Sequence, residues 1–118
     1  MTASEFVPPQ VRSLRLAPTK TMLTILFEDG FEAVLSAELL RVESPSAEVQ
    51  GHGADQKQIV HGKKDVKITA IEPVGNYAVR LTFDDGHDTG IFSWALFYDY
   101  GQRKEALLAA YREAAGLL

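Results

Sequence analysis

The chain has 118 residues, no cysteine and a formal net charge of -4, with 46% hydrophobic and 24% charged residues. One domain of this size buries about two-thirds of its unfolded surface and needs no covalent staple. The composition excludes disulfides, thiolate metal sites and cysteine nucleophiles, and its acidic balance argues against nucleic acid as main partner, because phosphate binding wants a basic face.

Residues Met1 to Gln10, with Pro8-Pro9, read as a flexible N-terminal arm before a single domain over 11–118. They lack the basic start and apolar core of a signal peptide, and no apolar run approaches the ~18 residues of a membrane span, so the expected location is cytoplasmic. Val11 to Leu16 reads as a first strand, stopped by Pro18. Thr21 to Phe27 reads as a second, with Leu23, Ile25 and Phe27 on one face and Met22 and Leu26 on the other, the pattern of a covered strand. Asp29-Gly30 is a hairpin signal, because glycine accepts the positive φ that tight turns need. Phe31 to Leu35 returns as a strand, and Ser36 is placed to cap a helix over Ala37 to Val42.

Glu43 to Asp65 is polar and glycine-bearing. A connection this long without regular structure is functional or mobile, and the neighbourhood of Gly51 to Lys57 is expected to be poorly ordered. Extended structure resumes over Val66 to Glu72, with a turn at Pro73 and Gly75-Asn76. Tyr77, Val79, Leu81 and Phe83 alternate with Ala78, Arg80 and Thr82, which predicts a half-buried antiparallel strand. Asp85-Gly86 repeats the hairpin signal, Asp88 to Phe92 closes the second hairpin, and Ser93 repeats the cap. Trp94 to Tyr100 then reads as a short helix ended by Gly101, and Arg103 to Ala115 as a separate one burying Leu107, Leu108, Tyr111 and Ala114, with Gly116 as its stop.

One pattern is therefore written twice. Phe27-Glu28-Asp29-Gly30 recurs as Phe83-Asp84-Asp85-Gly86, and each copy leads to a short apolar stretch, a serine and a leucine-bearing segment. The fold class is α+β: antiparallel β-hairpins with short capped helices and a C-terminal helix packed on the sheet.

Chemistry is sparse. Asp84, Asp85, His87 and Asp88 form the densest polar cluster, fit for a cation site, a general base or simply a solvated turn. His52, His61 and His87 could meet around a metal, although no pair has the helical spacing that marks such a site. No serine sits in a nucleophile elbow, and caps and turns account for Ser36, Ser44, Ser46 and Ser93. Among the aromatics, Trp94 and Phe97 are expected to face inward, and Tyr98 and Tyr100 to be partly exposed as partner anchors.

The repeat, the Leu40-Arg41 pair and Asp85-Gly86-His87-Asp88-Thr89-Gly90-Ile91-Phe92-Ser93-Trp94 together resemble one family. It is the DUF971 family, the gamma-butyrobetaine hydroxylase-like N-terminal domain, here in a stand-alone bacterial form. The likeness runs from Val11 to Gln102. The resemblance implies a zinc module held by three cysteines after the Leu-Arg pair and by a histidine. Laid on this chain, those positions are Ser44, Ser46, Val49 and His87, so it also implies that the metal site is lost. Related domains are fused to ATP-dependent iron–sulfur cluster carriers, which implies an accessory role near iron–sulfur or related cofactor metabolism. The expectation is a non-catalytic accessory domain without cofactor that binds a protein partner and neither nucleic acid nor membrane. Its candidate interaction residues are Arg41, Asp85, His87, Asp88, Tyr98 and Tyr100. The alternative is a small-ligand-binding protein or enzyme using His87 with Asp85 or Asp88. A deep cavity lined by His87, Arg41 and residues of the Glu43 to Asp65 segment would favour the alternative, and an exposed His87 on a shallow face beside exposed aromatics would favour the module.

Overall fold

The computed structural model describes residues 9–45, 62–114 and 116. The chain order is β1 (Val11–Leu16), β2 (Met22–Phe27), β3 (Glu32–Ser36), α1 (Ala37–Val42), β4 (Ile68–Val74), β5 (Ala78–Phe83), β6 (Gly90–Ser93) and α2 (Trp94–Ala114). These strands form two antiparallel three-stranded sheets, β1-β2-β3 and β4-β5-β6, so the architecture is α+β.

The repeat extends further than the motif that betrays it. Each copy is three strands and a helix, and each first strand carries a register shift at the same place, between Val11 and Ser13 and between Ile68 and Ala70. The hairpins match bond for bond. Phe27 N–H donates to Phe31 O and Phe83 N–H to His87 O, both at 2.9 Å. Gly30 and Gly86 share a φ of +91°, which only glycine adopts without strain. Ser36 Oγ accepts Leu39 N–H at 3.0 Å, and Ser93 Oγ accepts Leu96 N–H at 3.1 Å, as expected of the two caps.

Alternation decides what is buried. Leu23, Ile25 and Phe27 from β2 and Val79, Leu81 and Phe83 from β5 point into one core, joined by Leu35, Leu39, Leu40, Phe92 and Phe97. Each fully buried Leu or Phe stabilises the fold by about 1.5–3 kcal/mol. Both central strands are those read as covered or half-buried from their patterns. α2 lies along β3 and also touches β6 and α1.

Four details differ from the sequence reading. α2 is one helix, and Gly101 lies inside it. A Cβ at Gly101 would stand 2.6 Å from Ala33 Cβ and 2.9 Å from the Phe31 ring, so glycine is there for a close approach to β3, not as a stop. Ala114 is exposed, while Tyr111 is buried as expected. Pro73 lies within β4, where an edge strand tolerates a residue with no N–H to give. Tyr77 precedes β5 and is 56% exposed instead of sharing the buried face of Val79. Of the long 43–65 connection, Glu43 and Ser44 are buried. The expected disorder near Gly51 to Lys57, the N-terminal arm, His52 and His61 lie outside the described residues. No helix among the described residues is long and apolar enough to cross a membrane.

Candidate functional site

Each hairpin tip is held by the helix of the other copy. In the first copy, Asp29 Oδ1 accepts Phe31 N–H at 2.9 Å, which leaves Oδ2 to accept the Tyr98 hydroxyl of α2 at 2.7 Å. Tyr98 packs edge-on against Phe27 at 4.9 Å between ring centroids and lies 4.8 Å from Phe31. The Phe31 N–H bond, and then the Tyr98 hydroxyl, hold the Asp29 carboxyl below its usual range.

In the second copy the same frame carries charges. Asp85 Oδ1 accepts His87 N–H at 3.0 Å. Asp85 Oδ2 accepts both Arg41 Nε of α1 at 2.8 Å and Lys63 Nζ at 2.6 Å. Arg41 stands in α1 where Tyr98 stands in α2, five residues past the capping serine in each case. The side chains are well covered: Arg41 is 12% exposed, Asp85 18% and Lys63 22%. Partial burial pushes the Asp85 carboxyl up, but the bonds from Lys63, the His87 amide and Arg41 together outweigh it and hold it well below the carboxylate range. Among the described residues two cations share this one carboxylate, and Arg41 Nη1 is buried with no hydrogen-bond partner.

His87 takes the place that Phe31 has in the first copy and is likewise turned inward, 6% exposed. Its ring lies 6.0 Å from Phe83, and its Nε2 shares a 2.9 Å hydrogen bond with Ser44 Oγ. Ser44 in turn sits against Gly90, where any Cβ would collide with the serine hydroxyl. This repeats the fit of Gly101 against Ala33.

The six residues singled out in the sequence thus divide. Arg41, Asp85 and His87 meet in one cluster. Asp88 is exposed on the same hairpin, close enough to Arg80 to raise its pKa, behind the larger influence of Glu72. Tyr98 is half-buried on the other hairpin. Tyr100, expected to be partly exposed, is 6% exposed, and its hydroxyl donates to Glu43 O at 2.7 Å. The reason is the unbroken helix, which keeps Tyr100 one turn beyond Phe97 on the buried face. Burial, then the charges of Glu43 and Asp99, push its pKa up. His87 is 6% exposed and so does not stand on a shallow open face, and most of the Glu43 to Asp65 segment that would wall the alternative's cavity lies outside the described residues. Sequence reasoning missed Lys63 altogether. The repeat held the clue to His87, since the matching residue of the first copy is apolar Phe31.

The zinc site implied by the family resemblance can be tested on these donors. Ser46 and Val49 lie outside the described residues. Ser44 Oγ and His87 Nε2 bond directly to each other, and a neutral hydroxyl is a poor zinc donor. Among the described residues no three His, Asp or Glu side chains are grouped to hold a cation. Ser44 and His87, the described members of that set, do not by themselves make a zinc site.

Comparison with known proteins agrees with this frame. Residues 14–98 match the family described as gamma-butyrobetaine hydroxylase-like, N-terminal. No curated protein matches the chain. Among solved structures, a protein of unknown function of the DUF971 family from Acidithiobacillus ferrooxidans is 37% identical, with a TM-score of 0.65 over 78% of this chain and 92% of that one. One solution NMR structure is 49% identical, with a TM-score of 0.74 over 98% of this chain and 88% of the other. A second is 40% identical, with a TM-score of 0.77 over 93% and 89%.

Proposed function

This chain belongs to the gamma-butyrobetaine hydroxylase-like N-terminal family, also called DUF971, and from that premise we propose that it is a non-catalytic accessory domain that docks on a protein partner. The observation that carries this reading is what the acid–base candidates are doing. Asp85 is clamped between Arg41 and Lys63, and His87 is turned inward onto Ser44, so both hold the second hairpin to α1. A general base needs an open approach for substrate, whereas His87 is 6% exposed and its Nε2 is engaged with Ser44 Oγ. Asp88, the other partner considered for it, faces solvent.

The contact surface then moves away from Arg41, His87 and Tyr100, which are covered. We assign it to the second sheet and the turn that leads into β5, where Ile91 is 45% and Tyr77 56% exposed. Ile91 stands opposite Arg80 in register, and Arg80 pairs with Glu72. Exposed apolar side chains with a charged rim are the usual make-up of a docking patch, and tyrosine is a favoured anchor. We read the chain as a cytoplasmic domain serving iron–sulfur or related cofactor metabolism, the latter in keeping with the resemblance to domains fused to iron–sulfur cluster carriers.

Affinity capture with the wild type and with the double variant Tyr77→Ser/Ile91→Ser tests the reading. Amide spectra check that the variant stays folded. One or more proteins should be retained reproducibly by the wild type and lost by the variant. Identical captures from both, or recovery of a metabolite that the purified domain turns over, would overturn it.

A further inference from the structure

A second feature, apart from the exposed patch of Tyr77 and Ile91, is a cleft of about 340 Å³ lined by Glu38, Gly62, Lys63, Lys64, Tyr111 and Arg112. We propose that this cleft is a binding site for a small oxyanion, a phosphate or carboxylate group. Its charge is the first argument. Three cations and one carboxylate line it, in a chain whose acidic residues outnumber its lysines and arginines by 16 to 12. The cations do not cluster through local sequence alone: the loop before β4 supplies Lys63 and Lys64, and the last turn of α2 supplies Arg112. The fold has brought them to one concavity.

The second argument is availability. Among the described residues neither Lys64 nor Arg112 is in an ion pair. Lys63 is held by Asp85, but Arg41 Nε is bonded to the same carboxylate oxygen. Lys63 can therefore turn to a ligand without leaving Asp85 uncompensated. The third argument concerns selection. Glu38 can accept a bond from an O–H or N–H of the ligand, and it repels a second negative charge. The burial of Tyr111 and the nearness of Glu38 raise the tyrosine pKa, so its hydroxyl stays protonated near neutral pH. The site thus suits one phosphate or carboxylate group at a time. The volume is at the lower end of small-ligand pockets.

Amide and arginine side-chain NMR on the whole chain tests this, with sodium phosphate as one probe, an acetylated triglutamate peptide as the other and sodium chloride at matched ionic strength as control. The expected result is saturable shifts confined to Glu38, Gly62 to Lys64 and Tyr111 to Arg112, with a dissociation constant of about 1 mM or tighter for at least one probe. The exposed pair Lys64→Gln/Arg112→Gln should weaken it about tenfold without moving the rest of the spectrum. Shifts with phosphate alone assign the site to a small molecule. Shifts with the peptide assign it to an acidic side chain of a partner. Shifts reproduced by chloride, no saturation with either probe, or an unchanged affinity in the variant would overturn the proposal, and none of these bears on the Tyr77 and Ile91 patch.

Discussion

The two hairpin tips have the same backbone and opposite chemistry. At the first, Asp29 meets a tyrosine and Phe31 packs beside Gly101. At the second, Asp85 meets Arg41 and Lys63, and His87 packs beside Ser44. The turn glycines, the capping serines and the ladder bonds are shared, so the backbone does not explain the difference. It lies in four or five side chains on a common frame. An apolar tip tolerates loss of an exposed polar bond such as Tyr98 to Asp29, because packing carries it. A charged, covered tip does not tolerate loss of its carboxylate, because Arg41 and Lys63 share it as counter-charge. That contrast gives graded predictions.

Asp85→Asn should have the largest effect, about 3 kcal/mol in urea denaturation at neutral pH, because Arg41 and Lys63 lose a shared counter-charge while covered. The sign with pH follows from the depressed carboxyl. A group whose pKa is lower in the folded state stabilises above its unfolded value of ~3.9, and that contribution is lost as pH falls through the folded value. The wild type should therefore weaken from about pH 5 downward more steeply than Asp85→Asn.

Gly101→Ala comes next. Alanine gains up to about 1 kcal/mol in helix propensity, but its Cβ meets Ala33 and the Phe31 ring, so a net loss of about 2 kcal/mol is expected. A gain would show that the first tip is not tightly packed. His87→Phe, which copies the first tip into the second, should cost about 1 kcal/mol through the lost bond to Ser44. Adding Ser44→Gly, which copies Gly101 at the first tip, should recover most of this. Asp29→Asn should barely move the denaturation midpoint, since Asp29 is exposed and the ring packing of Tyr98 remains.

The repeat made the hairpins, caps and central strands legible, because each rests on local chemistry: an Asp-Gly turn, a serine before a helix, alternation along a strand. What failed was non-local. Gly101 looked like a stop because glycine disfavours a helix, yet Phe97, Tyr100, Leu107 and Tyr111 already followed one helical face across it. The Arg41–Asp85 pair joins residues 44 apart, and nothing local announces it. Arg41, Asp85 and His87 were singled out from the sequence, but as surface groups. Aligning His87 with Phe31 was the one route to its burial.

The measurement that bears most directly on the charged tip is a double-mutant cycle on Arg41→Gln and Asp85→Asn by equilibrium denaturation, run beside the cycle on Tyr98→Phe and Asp29→Asn. A coupling of about 2 kcal/mol for Arg41–Asp85, well above that of Tyr98–Asp29, is the predicted result. Equal couplings, or one near zero for Arg41–Asp85, would contradict it and return Asp85 and His87 to the list of groups free for chemistry.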